Sequence, residues 1–194
     1  QQPVYADLSQ VRWLELKDHL EQLKDMKLYT INGPHVTCAF AGYLKGYTTI
    51  NEASADPEVA ALMRAVLEEA VPGLSREFHV PEEDIWDFCT LPSPKHDMTD
   101  LIYRVALDPM RKLSHNDRLT GNALFCLKHG IDPKAIIQSM ANGFAYDEPR
   151  DEKAMEIQRH IKELGIEKAI SKVCSLPEDH ELVYRVAQAY RTIK

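Results

Sequence analysis

Residues 56–70 read DPEVAALMRAVLEEA, and this stretch predicts the class of the fold. Its apolar residues recur every three or four positions, which places them along one face of an α-helix. Asp56 before Pro57 is a typical helix start, because the carboxylate accepts first-turn N–H groups and proline has no N–H to lose there. The same spacing returns in residues 135–143 and 182–190, whereas strand-like alternation is hard to find. The sequence therefore predicts an all-α protein.

Start signals and apolar spacing together predict ten helices. Their ranges are 7–26, 34–46, 56–78, 81–89, 98–107, 114–129, 132–144, 148–163, 165–174 and 178–191. Asp108 and Asp132, each followed by a proline, are expected N-caps like Asp56. The prolines within residues 91–94 predict a loop inside one domain rather than a linker, because the apolar pattern resumes directly afterwards.

Composition limits the functions that this chain can have. It has 194 residues, a formal net charge of −7 and 44% hydrophobic residues, which suits one globular domain. No block of Lys or Arg supplies the positive field that nucleic acids or membrane surfaces need, so neither is an expected partner. The longest apolar stretch, residues 36–44, is far shorter than the roughly 20 residues that span a bilayer.

The spacing of the cysteines predicts the cellular compartment of the protein. They are Cys38, Cys89, Cys126 and Cys174. They are widely spaced and form no CxxC pair, so we expect reduced, mostly buried thiols in a cytoplasmic protein. None of the eight glycines forms the GxG core of a dinucleotide-binding fingerprint.

The densest group of polar residues in an apolar setting is residues 27–35, KLYTINGPH. Lys27 is expected to end a helix, a short turn to follow, and Asn32 to cap the next helix with His35 in its first turn. Residue types alone favour a structural corner with a snorkelling Lys, a capping Asn and a packed His. His35 and Cys38 are spaced for one helix face, but further ligands are missing, so no metal site is predicted.

Two segments carry a resemblance to a known family. The first is Lys27-x4-Asn32-x2-His35 with residues 39–57, AFAGYLKGYTTINEASADP, and the second is residues 108–119, DPMRKLSHNDRL. Together they resemble the C-terminal domain of the mannitol dehydrogenase family, in the style of its mannitol-1-phosphate 5-dehydrogenase branch. The resemblance extends over essentially the whole chain. It implies one helical domain over residues 1–194, of the 6-phosphogluconate dehydrogenase C-terminal-like type.

The resemblance also implies an activity. The family consists of NAD-dependent, metal-independent polyol dehydrogenases, which interconvert a sugar alcohol such as mannitol 1-phosphate and a ketose such as fructose 6-phosphate. Lys27 matches the family's catalytic lysine, while Asn32 and His35 match residues that hold the reacting oxygen. Without a metal, a lysine acts as base near neutral pH only if desolvation or positive charge lowers its pKa from about 10.4. NAD is expected to bind mainly to an N-terminal Rossmann domain that is absent from this chain.

A local cluster of basic residues stands out in this acidic chain. It consists of Arg111, Lys112, His115 and Arg118. These residues are candidates for binding a phosphorylated or carboxylated end of the substrate, because a guanidinium pairs well with either group. The alternative is a solvated helix start with ordinary ion pairs to Asp108 and Asp117.

One departure puts the substrate in doubt. Where relatives often carry Arg-Phe-x-Asn-Pro, residues 87–92 read DFCTLP and lack the Arg and the Asn. A hexuronate- or altronate-type oxidoreductase of the same family is therefore an alternative. A non-enzymatic helical interaction module is a second alternative, in which Asn32 and His35 have only structural roles.

Overall fold

The structure is a computed structural model that describes residues 20–90 and 100–193. Within these residues the chain is helical, apart from loops and one isolated antiparallel bridge between Thr49 and Leu101. The helices are α1 (Leu20–Lys27), α2 (Gly33–Leu44), α3 (Ile50–Ala55), α4 (Pro57–Phe78), α5 (Glu82–Thr90), α6 (Ile102–Ala106), α7 (Pro109–Lys112), α8 (Thr120–Lys128), α9 (Lys134–Ala145), α10 (Glu152–Leu164), α11 (Ile166–Cys174) and α12 (Glu181–Arg191). The predicted all-α class is confirmed.

The predicted bounds are closest for α4, α5, α9 and α11. Residues 7–19 and 98–99 of the predicted helices lie outside the described residues. The predicted helix 114–129 begins only at Thr120, whose hydroxyl donates to the Leu113 carbonyl at 2.7 Å. This buried bond ties the start of α8 to the end of α7 and leaves residues 114–119 as a turn.

Helix starts are capped in two different ways. Asp56 accepts the first-turn N–H groups of α4, and Asp108 accepts one from α7, as predicted. Asp132 was expected to do the same for α9, and that prediction is wrong. The second and third N–H groups of α9 donate instead to the Glu69 carboxylate of α4, at distances between 2.7 and 3.0 Å. A side chain distant in sequence has replaced the local cap.

Helix α2 lies at the centre of the fold and contacts α3, α4, α6 and α9. Most of its residues are buried, as expected of a helix that is apolar on all sides. A Cβ at Gly42 would lie 2.5 Å from the Ala53 Cβ, so only glycine allows α3 to approach this closely. The central position of α2 fixes the direction of its first residues, which include His35.

A second, smaller apolar cluster holds the chain that leads into α2. Its buried members are Met26, Tyr29, Ala70, Val71, Leu74 and Ile85. They come from α1, α4, α5 and the segment between α1 and α2. The residues that carry the family resemblance are therefore anchored on two sides, by α2 in the main core and by Tyr29 in this second cluster.

All four cysteines are free thiols, and three of them are buried. In the part of the chain that the structure describes, no helix combines the length and the apolar character needed to cross a bilayer.

Candidate active site

The backbone between Lys27 and Asn32 is helical, and the predicted turn is absent. Residues Leu28–Asn32 form a π-helical segment that joins α1 to α2. Lys27, Asn32 and Gly33 all have right-handed helical dihedral angles, and Asn32 makes no capping hydrogen bond. The prediction that Asn32 caps a new helix is therefore wrong. Asn32 and His35 also do not lie at a free helix N-terminus, because α2 begins inside a continuous helix.

The π-helical segment changes which residues share a helix face. In an uninterrupted α-helix, which turns about 100° per residue, Asn32 would lie about 140° around the axis from Lys27. A π-helix closes i→i+5 hydrogen bonds and turns only about 80° per residue, which reduces this angle to about 40°. The three residues after Asn32 then bring His35 to within about 20° of Lys27, on its other side. Lys27, Asn32 and His35 therefore project from one narrow face.

Burial differs among these three residues. Lys27 is exposed, whereas Asn32 and His35 are half-buried. A lysine base needs a desolvated setting, and the described residues do not bury Lys27. The chain alone therefore supplies the alignment of the three side chains but not the water-excluded environment.

The environment of His35 is built by helix α6 and by Asp100, which lies two positions before the first residue of α6. His35 Nε2 lies 3.8 Å from Asp100 Oδ2, and Asp100 forms an ion pair with Arg104 one helical turn ahead. Burial lowers the pKa of His35, Asp100 opposes this shift, and Arg104 and Arg118 add to it. His35 is therefore mainly neutral at neutral pH, as a hydrogen-bonding partner for an oxygen should be.

Arg104 is a residue of this site that the sequence reasoning missed. It lies four residues after Asp100, and this i,i+4 acid–base spacing was the available signal. The prediction had counted basic residues only from Arg111 onward.

The pKa of His35 responds in opposite directions to two substitutions. Asp100→Asn should lower it further, because the carboxylate that favours the charged ring is lost. Arg104→Met should raise it, because a repelling guanidinium is removed and Asp100 is left unpaired. NMR titration of the imidazole resonances measures both shifts, with His180 as an internal reference. An unchanged His35 titration in Asp100→Asn would show that the two side chains are not coupled.

Lys112 of the predicted basic cluster is buried, with 4% of its surface exposed. Its ammonium group donates to the Leu107 carbonyl. Burial, aided by Arg111 and Arg118 and opposed by Asp108 and Asp117, lowers the pKa of Lys112 to about 8. Lys112 is thus an interior cation beside this site rather than a solvated surface charge.

The other members of the predicted cluster face different surroundings. Arg111 is mostly exposed and pairs with Asp108 and Asp117, and His115 is exposed. Arg118 is only 12% exposed, bonds Asp117 at 2.6 Å and lies close enough to His35 to lower its pKa. The ion pairs of the alternative interpretation are therefore present. Only Arg118 also belongs to the surroundings of His35. Substrate binding by any of the four residues stays a prediction.

A cavity of about 290 Å³ lies beside the C-terminal end of α2. It is lined in part by three tyrosines, and its charged lining residues Glu148 and Arg150 are bonded to each other at 2.6 Å. Arg150 also lies over the Tyr103 ring, 4.5 Å from its centre. Because its lining includes none of Lys27, Asn32 and His35, the cavity is a weaker candidate than the His35 surface. Among the described residues, no group of three or more His, Cys, Asp or Glu side chains is arranged to hold a metal ion.

Comparison with known proteins agrees with the observed fold. The family model described as the mannitol dehydrogenase C-terminal domain matches residues 19–194. The chain therefore belongs to the mannitol dehydrogenase family, and the match is to its C-terminal domain.

Individual relatives give the same result. The chain is 36% identical over 194 residues to a mannitol-1-phosphate 5-dehydrogenase of Thermoanaerobacter pseudethanolicus, covering 98% of this chain and 50% of that protein. It is 35% identical to a protein of the same name from Clostridium acetobutylicum, covering 93% and 48%. Pseudomonas fluorescens mannitol 2-dehydrogenase, solved in a ternary complex with NAD and D-mannitol, has the same fold with a TM-score of 0.67 at 19% identity, covering 91% and 39%. The chain thus spans about half the length of the curated relatives that it matches.

Proposed function

We propose that this chain is the substrate-binding and catalytic domain of an NAD-dependent polyol dehydrogenase, which interconverts mannitol 1-phosphate and fructose 6-phosphate. The observation that carries the proposal is the π-helical segment Leu28–Asn32. Ideal helix geometry with this segment places Lys27, Asn32 and His35 on one helix face. The family membership and the names of the relatives support it.

The chemistry divides among the three residues. In the oxidation, the neutral Lys27 amine takes the proton of the substrate hydroxyl while a hydride leaves the same carbon. NAD, when bound, accepts that hydride. The Asn32 amide and the neutral His35 ring donate hydrogen bonds to the oxygen and stabilise its developing negative charge. In the reverse direction, Asn32 and His35 polarise the ketose carbonyl, and the Lys27 ammonium gives its proton to the oxygen as the carbon receives a hydride, which the reduced cofactor would supply.

Lys27 needs a covering surface, and we propose that an N-terminal Rossmann domain provides it. The relatives are about twice as long as this chain, and none of the eight glycines here forms a dinucleotide fingerprint. Apolar side chains next to the site residues, Ile31, Leu101 and Leu107, are exposed and would suit such a contact. We expect the 194-residue chain alone to be almost inactive, because it lacks both this cover and most of the NAD site.

The charged end of the substrate is assigned to the guanidinium groups near His35. Arg104 and Arg118 both act on the pKa of His35, and both can pair with a phosphate. Arg111, Lys112 and His115 remain proposed secondary contacts. These residues do not separate a phosphate from a carboxylate, so the hexuronate alternative has to be tested directly.

The test uses the protein expressed from its complete reading frame. Oxidation of NADH is measured with fructose 6-phosphate, fructose and a hexuronate as separate substrates. We expect kcat/KM for the phosphorylated ketose to exceed that for fructose by about 100-fold, since fructose lacks the phosphate that would make charge-assisted contacts with Arg104 and Arg118. Turnover of the hexuronate alone would favour the alternative oxidoreductase. If no substrate is turned over with either nicotinamide cofactor, the non-enzymatic interaction module is the remaining alternative.

A further inference from the structure

Pro34 removes the donor that a π turn would supply to the Tyr29 carbonyl. A π turn pairs each carbonyl with the N–H five residues ahead. For Tyr29 that residue is Pro34, which has no N–H. The Tyr29 carbonyl accepts instead from the Asn122 side chain of α8, with Nδ2 at 3.2 Å. A side chain 93 residues away therefore completes the hydrogen bonding of the segment.

Asn122 is fully buried and only partly satisfied. Its Nδ2 also donates to the Arg118 carbonyl at 3.3 Å, so both amide hydrogens are used. Its Oδ1 has no hydrogen-bond partner among the residues that the structure describes. A buried polar atom without a partner lowers stability, and such atoms are expected mainly where a site requires them. Asn122 thus makes its side-chain hydrogen bonds through its N–H group.

Helix α8 and the turn before it also hold the Tyr29 side chain. The Tyr29 hydroxyl donates to the Asn116 carbonyl at 3.2 Å, and its ring meets Phe125 edge to face at 5.3 Å. A Cβ at Gly121 would lie 2.9 Å from the Tyr29 hydroxyl oxygen, so the ring packs directly against the α8 backbone. Tyr29 is therefore fixed to one helix by both its main chain and its side chain, which sets the rotation of the π-helical segment.

We propose that Asn122 is a positioning residue for the reaction. Its amide N–H holds the Tyr29 carbonyl and thereby maintains the π-helical geometry that aligns Lys27 with Asn32 and His35. The catalytic consequence rests on the proposed function, whereas the effect on the helix does not.

The test compares Asn122→Leu with Asn142→Leu in the protein expressed from its complete reading frame. Leucine removes the donor at similar size. Asn142 is a matched control, because it is a buried helical asparagine whose side chain bonds Gln138 of its own helix. We expect kcat of Asn122→Leu to fall about 30- to 100-fold, as small misplacements of reacting groups do. The KM for NAD should stay unchanged, and Asn142→Leu should keep its kcat within about threefold of the unmodified protein.

A crystal structure of Asn122→Leu provides the second readout. We expect residues 28–32 to relax towards an α-helix, which rotates Lys27 away from the face of Asn32 and His35. Should this variant not fold, Asn122→Ala removes the same donor without adding bulk and carries the same measurements.

The outcomes separate the two proposals. An unchanged π-helical segment, or a kcat equal to that of Asn142→Leu, would overturn the role of Asn122. A rearranged segment in a protein that turns over no polyol would support the structural role of Asn122 and reject the proposed function and the positioning role together.

Discussion

Lys27→Ala, in the protein expressed from its complete reading frame, is expected to lower kcat by about 1,000-fold, because removal of a general base costs about 10²- to 10⁴-fold. The change removes the only group assigned to proton transfer and leaves the proposed contacts of Arg104 and Arg118 with the substrate. The KM for the sugar alcohol should therefore change little. Steady-state formation of NADH at saturating substrate measures the effect, and added primary alkylamines should restore part of the activity.

Lys24→Ala is the matched control for Lys27→Ala. Lys24 is also exposed and lies nearly one turn earlier on α1, so the substitution removes the same charge from the same helix. Its kcat should stay within about twofold, as is usual for surface substitutions away from a site. Full activity of Lys27→Ala would reject the base assignment, and equal losses in both variants would indicate a general effect of charge.

Asn32→Ala is expected to lower kcat by about 10²- to 10³-fold, the usual cost of losing one donor to a developing oxyanion. The substitution should leave the fold intact, because Asn32 makes no capping hydrogen bond. The comparison variant is Asn51→Ala, an exposed asparagine on the short helix α3. Kinetics and thermal unfolding of both variants separate a catalytic loss from a loss of stability.

The double variant Lys27→Ala/Asn32→Ala gives a sharper test. If both side chains act on one oxygen atom, their effects are coupled, and the double variant should lose much less than the product of the two single losses. Fully multiplicative losses would show that the two residues act independently, which contradicts a shared oxygen.

Candidate site residues could be named from the sequence, but their arrangement could not. The spacing of Lys27, Asn32 and His35 suggested the family, and the family model confirms that membership. The predicted geometry was wrong, because Gly33 and Pro34 are local start signals and were interpreted as a new helix after a turn. The buried side chain of Tyr29 packs into the second apolar cluster and keeps the chain helical instead.

Two further features, one at the site and one elsewhere in the fold, depend on contacts between residues that are distant in sequence. Asp100 approaches His35 across 65 positions of sequence, and no periodicity indicates that pairing. Glu69 caps α9 in place of the local candidate Asp132. Local propensities contribute about 1 kcal/mol each, so a well-placed partner from another helix can replace them.

Helical class, most helix positions and the candidate catalytic residues followed from the sequence by itself, because apolar spacing and helix caps act between residues close in the chain. The tertiary structure alone decided that Leu28–Asn32 is π-helical and that Asp100, Arg104 and Arg118 surround His35. These features depend on which helices pack together. Packing joins residues such as Tyr29 and Asn122, whose interaction no local pattern encodes.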